Sequence, residues 1–261
     1  MKKIIFVALC FLTIYQSTAQ EKILYQAHAH NDYAHEKPLF KALSLGFISI
    51  EADVHLVAGE LYVAHYKPKL EKANTLKELY LEPLRKRILA NGGKVYPNNS
   101  ASLYLMIDIK TEAETTYQVL KEQLIAYQDM LTCWENGQEK QGAVLIFLSG
   151  NRPVETVSKE TFRLVALDGR LEDLDKNYPN ALMPVISENY MKIFKWRGSG
   201  QMPREEAEKL KNLILKTNQQ GKKLRFWASP ENENVWEMLI ANDIGLIGTD
   251  QLERLSQFLH K

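Results

Sequence analysis

The chain has 261 residues, 45% of them hydrophobic, with 33 basic and 32 acidic side chains and a formal net charge of +1. This is ordinary globular composition, enough for one barrel-sized domain or two smaller ones. Balanced charge gives no field that draws an acidic polymer, and no RNA- or DNA-reading motif occurs, so nucleic acid is not expected as a partner.

The N-terminus reads as a leader. Met1, Lys2 and Lys3 form a short basic region, residues 4–15 an apolar run, and Ser17, Thr18 and Ala19 a small-residue cleavage site. This pattern predicts a secretory signal peptide over 1–19, export to the periplasm or beyond, and one domain over 20–261. The apolar run is short for a membrane span, so no stable span is expected after cleavage. Leu9 precedes Cys10, where a lipoprotein signal wants a small residue. Cys133 is then the only cysteine left, which excludes an internal disulfide. Its surroundings, DMLTCWEN, suit a packed thiol rather than a nucleophile.

From residue 22 onward, short apolar runs alternate with helical patterns. Strands are expected at 22–30, 47–55, 103–110, 142–149, 162–168, 181–187, 222–228 and 244–249. Helical spacing appears over 38–45, 75–90, 112–131, 203–218, 235–241 and 252–259, with Pro83 placed to kink or split the second of these. Pro203 suits a first helical turn. After the second strand, Gly59 and Glu60 lead into ELYVAH, a hairpin extension that carries His65 back toward that strand's end. Such alternation predicts parallel βαβ units, and a full set of them predicts an α/β fold of the closed (β/α)8 TIM-barrel type. An open doubly wound sheet is the alternative; if it bound a nucleotide it would want a Gly-rich phosphate loop after the first strand, and none is present.

Three of the expected strands carry polar pairs at i and i+2, which share one face. In FISIEADVHL, Glu51 and Asp53 project together, opposite Ile48, Ile50, Ala52 and Val54. In ILYQAHAHN the pair is His28 and His30, and in LYLMIDIK it is Asp108 and Lys110. Like charges on one buried face repel unless a cation or a proton intervenes. Pairing with Lys or Arg is one solution; a hard divalent ion, Mg²⁺ or Ca²⁺, held through Glu51, Asp53 and Asp108 is the other. Carboxylates with such an ion, imidazoles that exchange protons near neutrality, and a lysine fit phosphoryl transfer. His55 lies on the face of Glu51 and Asp53 but close to the turn, which suits a solvated or supporting place. His35 reads as a loop residue, and Trp134 and Trp196 as packing or surface aromatics. The loop 189–202 is rich in aromatic and basic residues and glycine, as site mouths often are.

In order and spacing, AHAHND, FISIEADVHL, ELYVAH and LYLMIDIK resemble the PLC-like phosphodiesterase superfamily. That group includes glycerophosphodiester phosphodiesterases, sphingomyelinase-D-like enzymes and phosphoinositide-specific phospholipases C. The pattern is most similar to the glycerophosphodiesterase-like group that opens with H-x-HND. The ending LRFWASPENENVWEMLIANDIGLIGTD adds to the likeness. The resemblance implies a phosphoric diester hydrolase acting on a small-molecule or lipid-derived phosphodiester. It implies His28 and His65 as the catalytic pair, with His30 competing for the place of His28 or binding phosphate or metal. Glu51, Asp53 and Asp108 become metal ligands. Lys110 contacts phosphate, Trp227 lines the substrate pocket, and Asn31 lies near the phosphate. Asp250 takes a structural place, capping the last helix. Ala29 stands where the glycerophosphodiesterases have Arg, and Asp108 where they have Glu, as in the sphingomyelinase-D-like branch. A glycosidase using two carboxylates without a metal, or a binding module without turnover, are the competing functions.

Overall fold

The computed structural model describes residues 22–261. The segment read as a leader, 1–19, lies outside the described residues. Eight parallel strands form the centre: β1 Leu24–Ala29, β2 Phe47–Val57, β3 Leu103–Ile109, β4 Val144–Gly150, β5 Val165–Gly169, β6 Val185–Asn189, β7 Lys223–Trp227 and β8 Leu246–Thr249. Each pairs with the next, and β8 and β2 both pair with β1, so the sheet closes into a barrel. The expected strands and the barrel are thus present. The fifth expected strand is split: Phe162–Arg163 joins a small antiparallel sheet with Cys133–Glu135 and Gln138–Lys140, and only Val165–Gly169 enters the barrel.

Most of the helices follow the expected pattern, with different ends. The stretch 75–90 begins with a π-helical turn, Lys77–Leu81, and continues as the α-helix Glu82–Ala90. Pro83 sits in the first turn of that helix and has no N–H for the carbonyl four residues back, so the bonding pattern shifts there. The helix expected over 112–131 ends at Ile125. Its last turn tightens, with Tyr127 N donating to Leu124 O and Met130 N to Tyr127 O, and the Tyr127 hydroxyl reaches Glu82 at 2.6 Å. Arg204–Gln219, Glu233–Ala241 and Leu252–Leu259 cover the last three expected helices.

Alternation along the strands sorts the barrel into layers. Residues facing the helices, such as Ile50, Ile107, Ile146, Leu167 and Ile186, belong to the large outer core. Met106, Phe147, Ala166, Val185 and Leu246 form a smaller buried cluster inside the barrel. Two residues further along the same strands stand Asp108, Ser149, Asp168, Ser187 and Gly248. The interior therefore changes from apolar to polar at the C-terminal ends of the strands.

The hairpin forms as expected. Glu60–Val63 runs antiparallel to the end of β2. Ala58 (φ 51°) and Gly59 (φ 82°) make a two-residue turn of the kind that needs positive φ at both positions.

Candidate active site

In register, Asp53 on β2 pairs with Asp108 on β3. Neighbouring strands lie about 4.8 Å apart, so same-face carboxylates on paired positions meet. Ligand atoms of Glu51, Asp53 and Asp108 lie within 4.8 Å of one another. Glu51 and Asp108 line one side of a cavity of about 520 Å³ at the C-terminal ends of the strands, and Asp53 is fully buried next to them. Gly150 (φ 65°) makes room for this group, since a Cβ there would come within 2.2 Å of Asp108 Oδ1.

Each carboxylate has a distinct set of partners. Glu51 Oε2 accepts from Arg225 Nη2 at 3.1 Å and is 3.1 Å from His28 Nε2. Burial alone would drive the Glu51 carboxyl upward; Arg225 and then His28 reverse this and hold it at about 2. Asp53 Oδ2 gathers the Tyr33 hydroxyl at 2.7 Å, His65 Nδ1 at 3.0 Å and Lys110 Nζ at 3.0 Å. Asp53 Oδ1 is buried with no hydrogen-bond partner. Asp108 Oδ1 is 3.1 Å from Lys110 Nζ, close enough for ion pairing but without hydrogen-bond geometry. Burial pushes the Asp108 carboxyl up to about 6; Lys110 opposes the rise, and Glu51 and Asp53 add to it. The Lys110 ammonium rises despite burial because it lies between Asp108 and Asp53.

These features fit a divalent cation. The donors are hard oxygens, buried oxygens of the cluster are unsatisfied, and three carboxylates crowd one another in a buried place. Among the described residues this is the cluster of carboxylates with the spacing of a metal site.

The imidazoles are placed differently from one another. His28 is fully buried, with Nδ1 2.7 Å from Ser49 Oγ and Nε2 on Glu51. Burial first, and Arg225 next, lower it to about 4, so at neutral pH its contact with Glu51 is a hydrogen bond from a neutral ring. The cavity is lined by His30 and not by His28. His30 Nδ1 is 2.8 Å from Asp250 Oδ1; burial lowers its affinity for a proton, but the Asp250 bond outweighs that and raises it. His65 also lines the cavity, with Nδ1 on Asp53 and its ring edge against Tyr66 at 4.6 Å. Asn31 lines it too, in the left-handed conformation (φ 48°) that Asn tolerates. Trp227 stands at the rim, 38% exposed. His55 Nε2 lies 3.4 Å from the His65 carbonyl, and Trp134 is buried beneath the Arg163 guanidinium.

One expectation fails on geometry. Asp250 does not cap the last helix, whose N-cap position is Gln251 without a side-chain bond. Its carboxylate instead accepts from Asn31 at 3.3 Å and holds His30, while its backbone N–H donates to Glu231.

Sequence reasoning missed half of the cavity. Arg225, Ser149, Asp168, Arg170 and Glu188 all contribute to its lining, as does Lys192 from the loop read as a site mouth. The same i, i+2 rule applied to ALDGR pairs Asp168 with Arg170, and applied to LRFWA pairs Arg225 with Trp227. Tyr33 had no such signal, because it reaches Asp53 from a loop.

The AIM6-like phosphodiesterase domain pattern matches residues 16–168. The altered inheritance of mitochondria protein 6 homolog of Arthroderma benhamiae is 28% identical over 86% of this chain and 81% of its own length. The Eremothecium gossypii protein named altered inheritance of mitochondria protein 6 is 27% identical over 92% and 71%. Among solved structures, a glycerophosphodiester phosphodiesterase from Parabacteroides distasonis shares the fold at a TM-score of 0.56 and 16% identity, covering 90% of this chain and 96% of that one. An Oleispira antarctica phosphodiesterase in complex with the product sn-glycerol-3-phosphate gives 0.52 and 12%, covering 90% and 97%. The relatives overturn the expected export, since they are named for the inheritance of mitochondria and not as exported proteins. Among the described residues no helix is long and apolar enough to cross a membrane. With more than half of its length matched by that pattern, on a barrel shared with known phosphodiesterases, the chain belongs to the AIM6-like phosphodiesterase domain family.

Proposed function

We propose that this chain is a metal-dependent phosphoric diester hydrolase acting on glycerophosphodiesters or related phospholipid-derived head groups. Glu51, Asp53 and Asp108 hold Mg²⁺ or Ca²⁺, and two imidazoles move protons. The observation that carries this is the buried, unsatisfied Asp53 Oδ1 within a three-carboxylate cluster that His65 and His30 flank at the same cavity. A cation bound there would offset the phosphate charge and favour the charge that develops on its equatorial oxygens.

The chain's own residues do the rest. His65 and His30 each have Nδ1 against a carboxylate, Asp53 and Asp250, which orients the ring; Nε2 of His65 is left for the substrate, and Nε2 of His30 faces the Asn31 amide at 3.5 Å. One takes the proton from the attacking water or neighbouring hydroxyl, and the other gives a proton to the departing alcohol oxygen. His30 fits this role better than His28, whose two nitrogens are occupied beneath the cavity and whose ring is neutral at pH 7. His28 instead steadies Glu51. Lys110, tied between Asp53 and Asp108, is available to the phosphate at the cavity wall. Asn31 and Trp227 border the space for the substrate.

The test is hydrolysis of glycerophosphodiesters followed by ³¹P NMR. Activity is expected to vanish in EDTA and return with Mg²⁺ or Ca²⁺, and His65→Ala to lower turnover by about two to four orders of magnitude. Hydrolysis that survives EDTA would point to a metal-free hydrolase, and a His65→Ala variant as fast as wild type would remove His65 from the reaction.

A further inference from the structure

The cavity wall away from the imidazoles is built around Asp168. This residue is 1% exposed, yet it contributes to the cavity lining. Its Oδ2 accepts from Ser149 Oγ at 2.8 Å and from Arg170 Nη1 at 2.8 Å. Arg152 donates to its backbone carbonyl, and Arg170 Nη1 lies 3.3 Å from the same oxygen. The carboxylate is thus fixed from one side. Its other oxygen, Oδ1, is buried and has no hydrogen-bond partner. A charged oxygen rigidly held in that state is a strong acceptor awaiting a donor.

We propose that Asp168 Oδ1 accepts a hydrogen bond from a hydroxyl on the alcohol portion of the substrate, making Asp168 a specificity residue for phosphate esters of polyols. The proposal rests on the phosphodiesterase reading of the same cavity. Its place in the barrel suits the role. Ser149 on β4, which bonds Asp168, is in register with Asp108 on β3, so Asp168 on β5 lies two strands beyond the carboxylate cluster, on the wall of the same cavity. A phosphate at the cluster therefore has its alcohol within reach of this wall. The donor is a neutral hydroxyl rather than an ammonium, because the Asp168 charge is already matched by Arg170, with Arg152 alongside. A substrate cation would have to sit beside two guanidiniums. Ser187 Oγ on β6 and Arg225 Nε on β7 are also buried without partners, so the polar floor continues on this side.

Calorimetry on the full chain with Mg²⁺ tests this with three monoesters: glycerol phosphate, propyl phosphate and phosphoethanolamine. Glycerol phosphate is expected to bind about 10- to 100-fold more tightly than propyl phosphate, since the latter leaves Oδ1 unpaired. In Asp168→Ala that ratio should fall below about threefold. Ser149→Ala, which removes one anchor but leaves Oδ1 in place, should keep most of it. If Asp168→Ala fails to fold, Asp168→Asn, which keeps an oxygen for Ser149 and Arg170 and puts a donor in place of Oδ1, should lower the ratio in the same way, and an unchanged ratio there would overturn the assignment. Equal wild-type binding of glycerol and propyl phosphates, or phosphoethanolamine binding as tightly as glycerol phosphate, would overturn the assignment. Turnover is scored separately. Selective binding without diester hydrolysis would overturn only the phosphodiesterase reading, while hydrolysis without selectivity would overturn only the role of Asp168.

Discussion

Arg225→Leu isolates the physics that holds the carboxylate cluster together. Arg225 Nη2 and Glu51 Oε2 are 3.1 Å apart, and both side chains are almost fully buried. Removing one member of a buried pair strands the other, at a typical cost of about 3–5 kcal/mol. His28 retains its bond to Glu51, which favours the lower end. A second route gives a similar figure. Holding Glu51 at about 2 instead of 4.5 is worth about 3 kcal/mol at neutral pH. A loss of that size lowers the melting temperature of a barrel this large by about 6–12 °C.

The pH dependence has a definite sign. The folded-state value of Glu51 is depressed, so its contribution is complete above the unfolded value of 4.5 and is lost as pH falls toward about 2. The gap between wild type and Arg225→Leu should therefore be full at pH 7 and shrink in acid. Urea and thermal unfolding followed by circular dichroism in EDTA, at pH 7 and pH 3, measure both quantities. Combining Arg225→Leu with Glu51→Gln should recover at least half of the loss, because neither member of the pair then leaves the other charged and unpartnered. A loss under about 1 kcal/mol at pH 7, or one that does not shrink in acid, would refute the reasoning.

Two further substitutions test other supports of the site. Gly150→Ala places a Cβ within 2.2 Å of Asp108 Oδ1 and 2.4 Å of Ile109 O, at a φ of 65°. It should cost about 1–3 kcal/mol in urea unfolding and weaken Mg²⁺ binding at least tenfold by calorimetry; unchanged binding would mean that Asp108 is not held where the site needs it. Asp32 is buried and receives Leu39 N at 2.6 Å and the Tyr80 hydroxyl at 2.9 Å, while its Oδ1 has no partner. Burial raises its carboxyl in spite of those bonds, so its charged form weighs against folding as pH rises past the unfolded value. Asp32→Asn keeps an acceptor for both bonds and should gain in melting temperature relative to wild type between pH 4 and pH 7; an unchanged difference would show that Asp32 carries no such penalty.

Legibility in the sequence followed the range of the interactions. The barrel strands were readable because each is a local run of β-branched and apolar residues between turn signals. Glu51, Asp53, Asp108 and Lys110 were readable because strand geometry alone puts i and i+2 together. Arg225 meets Glu51 across 174 positions of sequence, and only the closure of the barrel brings β7 opposite β2. Tyr33 reaches Asp53 because Asn31 turns left-handed and Asp32 anchors the following loop at Leu39, a conformation that no periodicity announces. The side sheet was equally silent. Its strands are two or three residues long and one of them, Gln138–Lys140, is wholly exposed. The choice between His28 and His30 could not be made from spacing, since both share a face and only depth in the barrel separates them.

Paired carboxylates are open to two readings, protein cations or a bound ion; the structure shows the first and leaves a cluster that could hold the second. Arg225 takes one oxygen of Glu51, and Lys110 with His65 takes one oxygen of Asp53. Asp53 Oδ1 is left buried and bare, as are the second oxygens of Asp32 and Asp168, so it is an open acceptor whose meaning comes from the two carboxylates beside it. Three carboxylates face two permanently charged partners, because His28 is neutral at pH 7. Counting those groups alone, the cluster carries one negative charge in excess; burial is what lifts Asp108 to about 6, with Glu51 and Asp53 adding to the rise and Lys110 opposing it. That residual sign would repel a phosphodiester. One divalent cation reverses it, leaving a net positive charge opposite the single negative charge of the substrate. Lys110 and Arg225 thus offset two of the three carboxylate charges, and a divalent cation would more than offset the third.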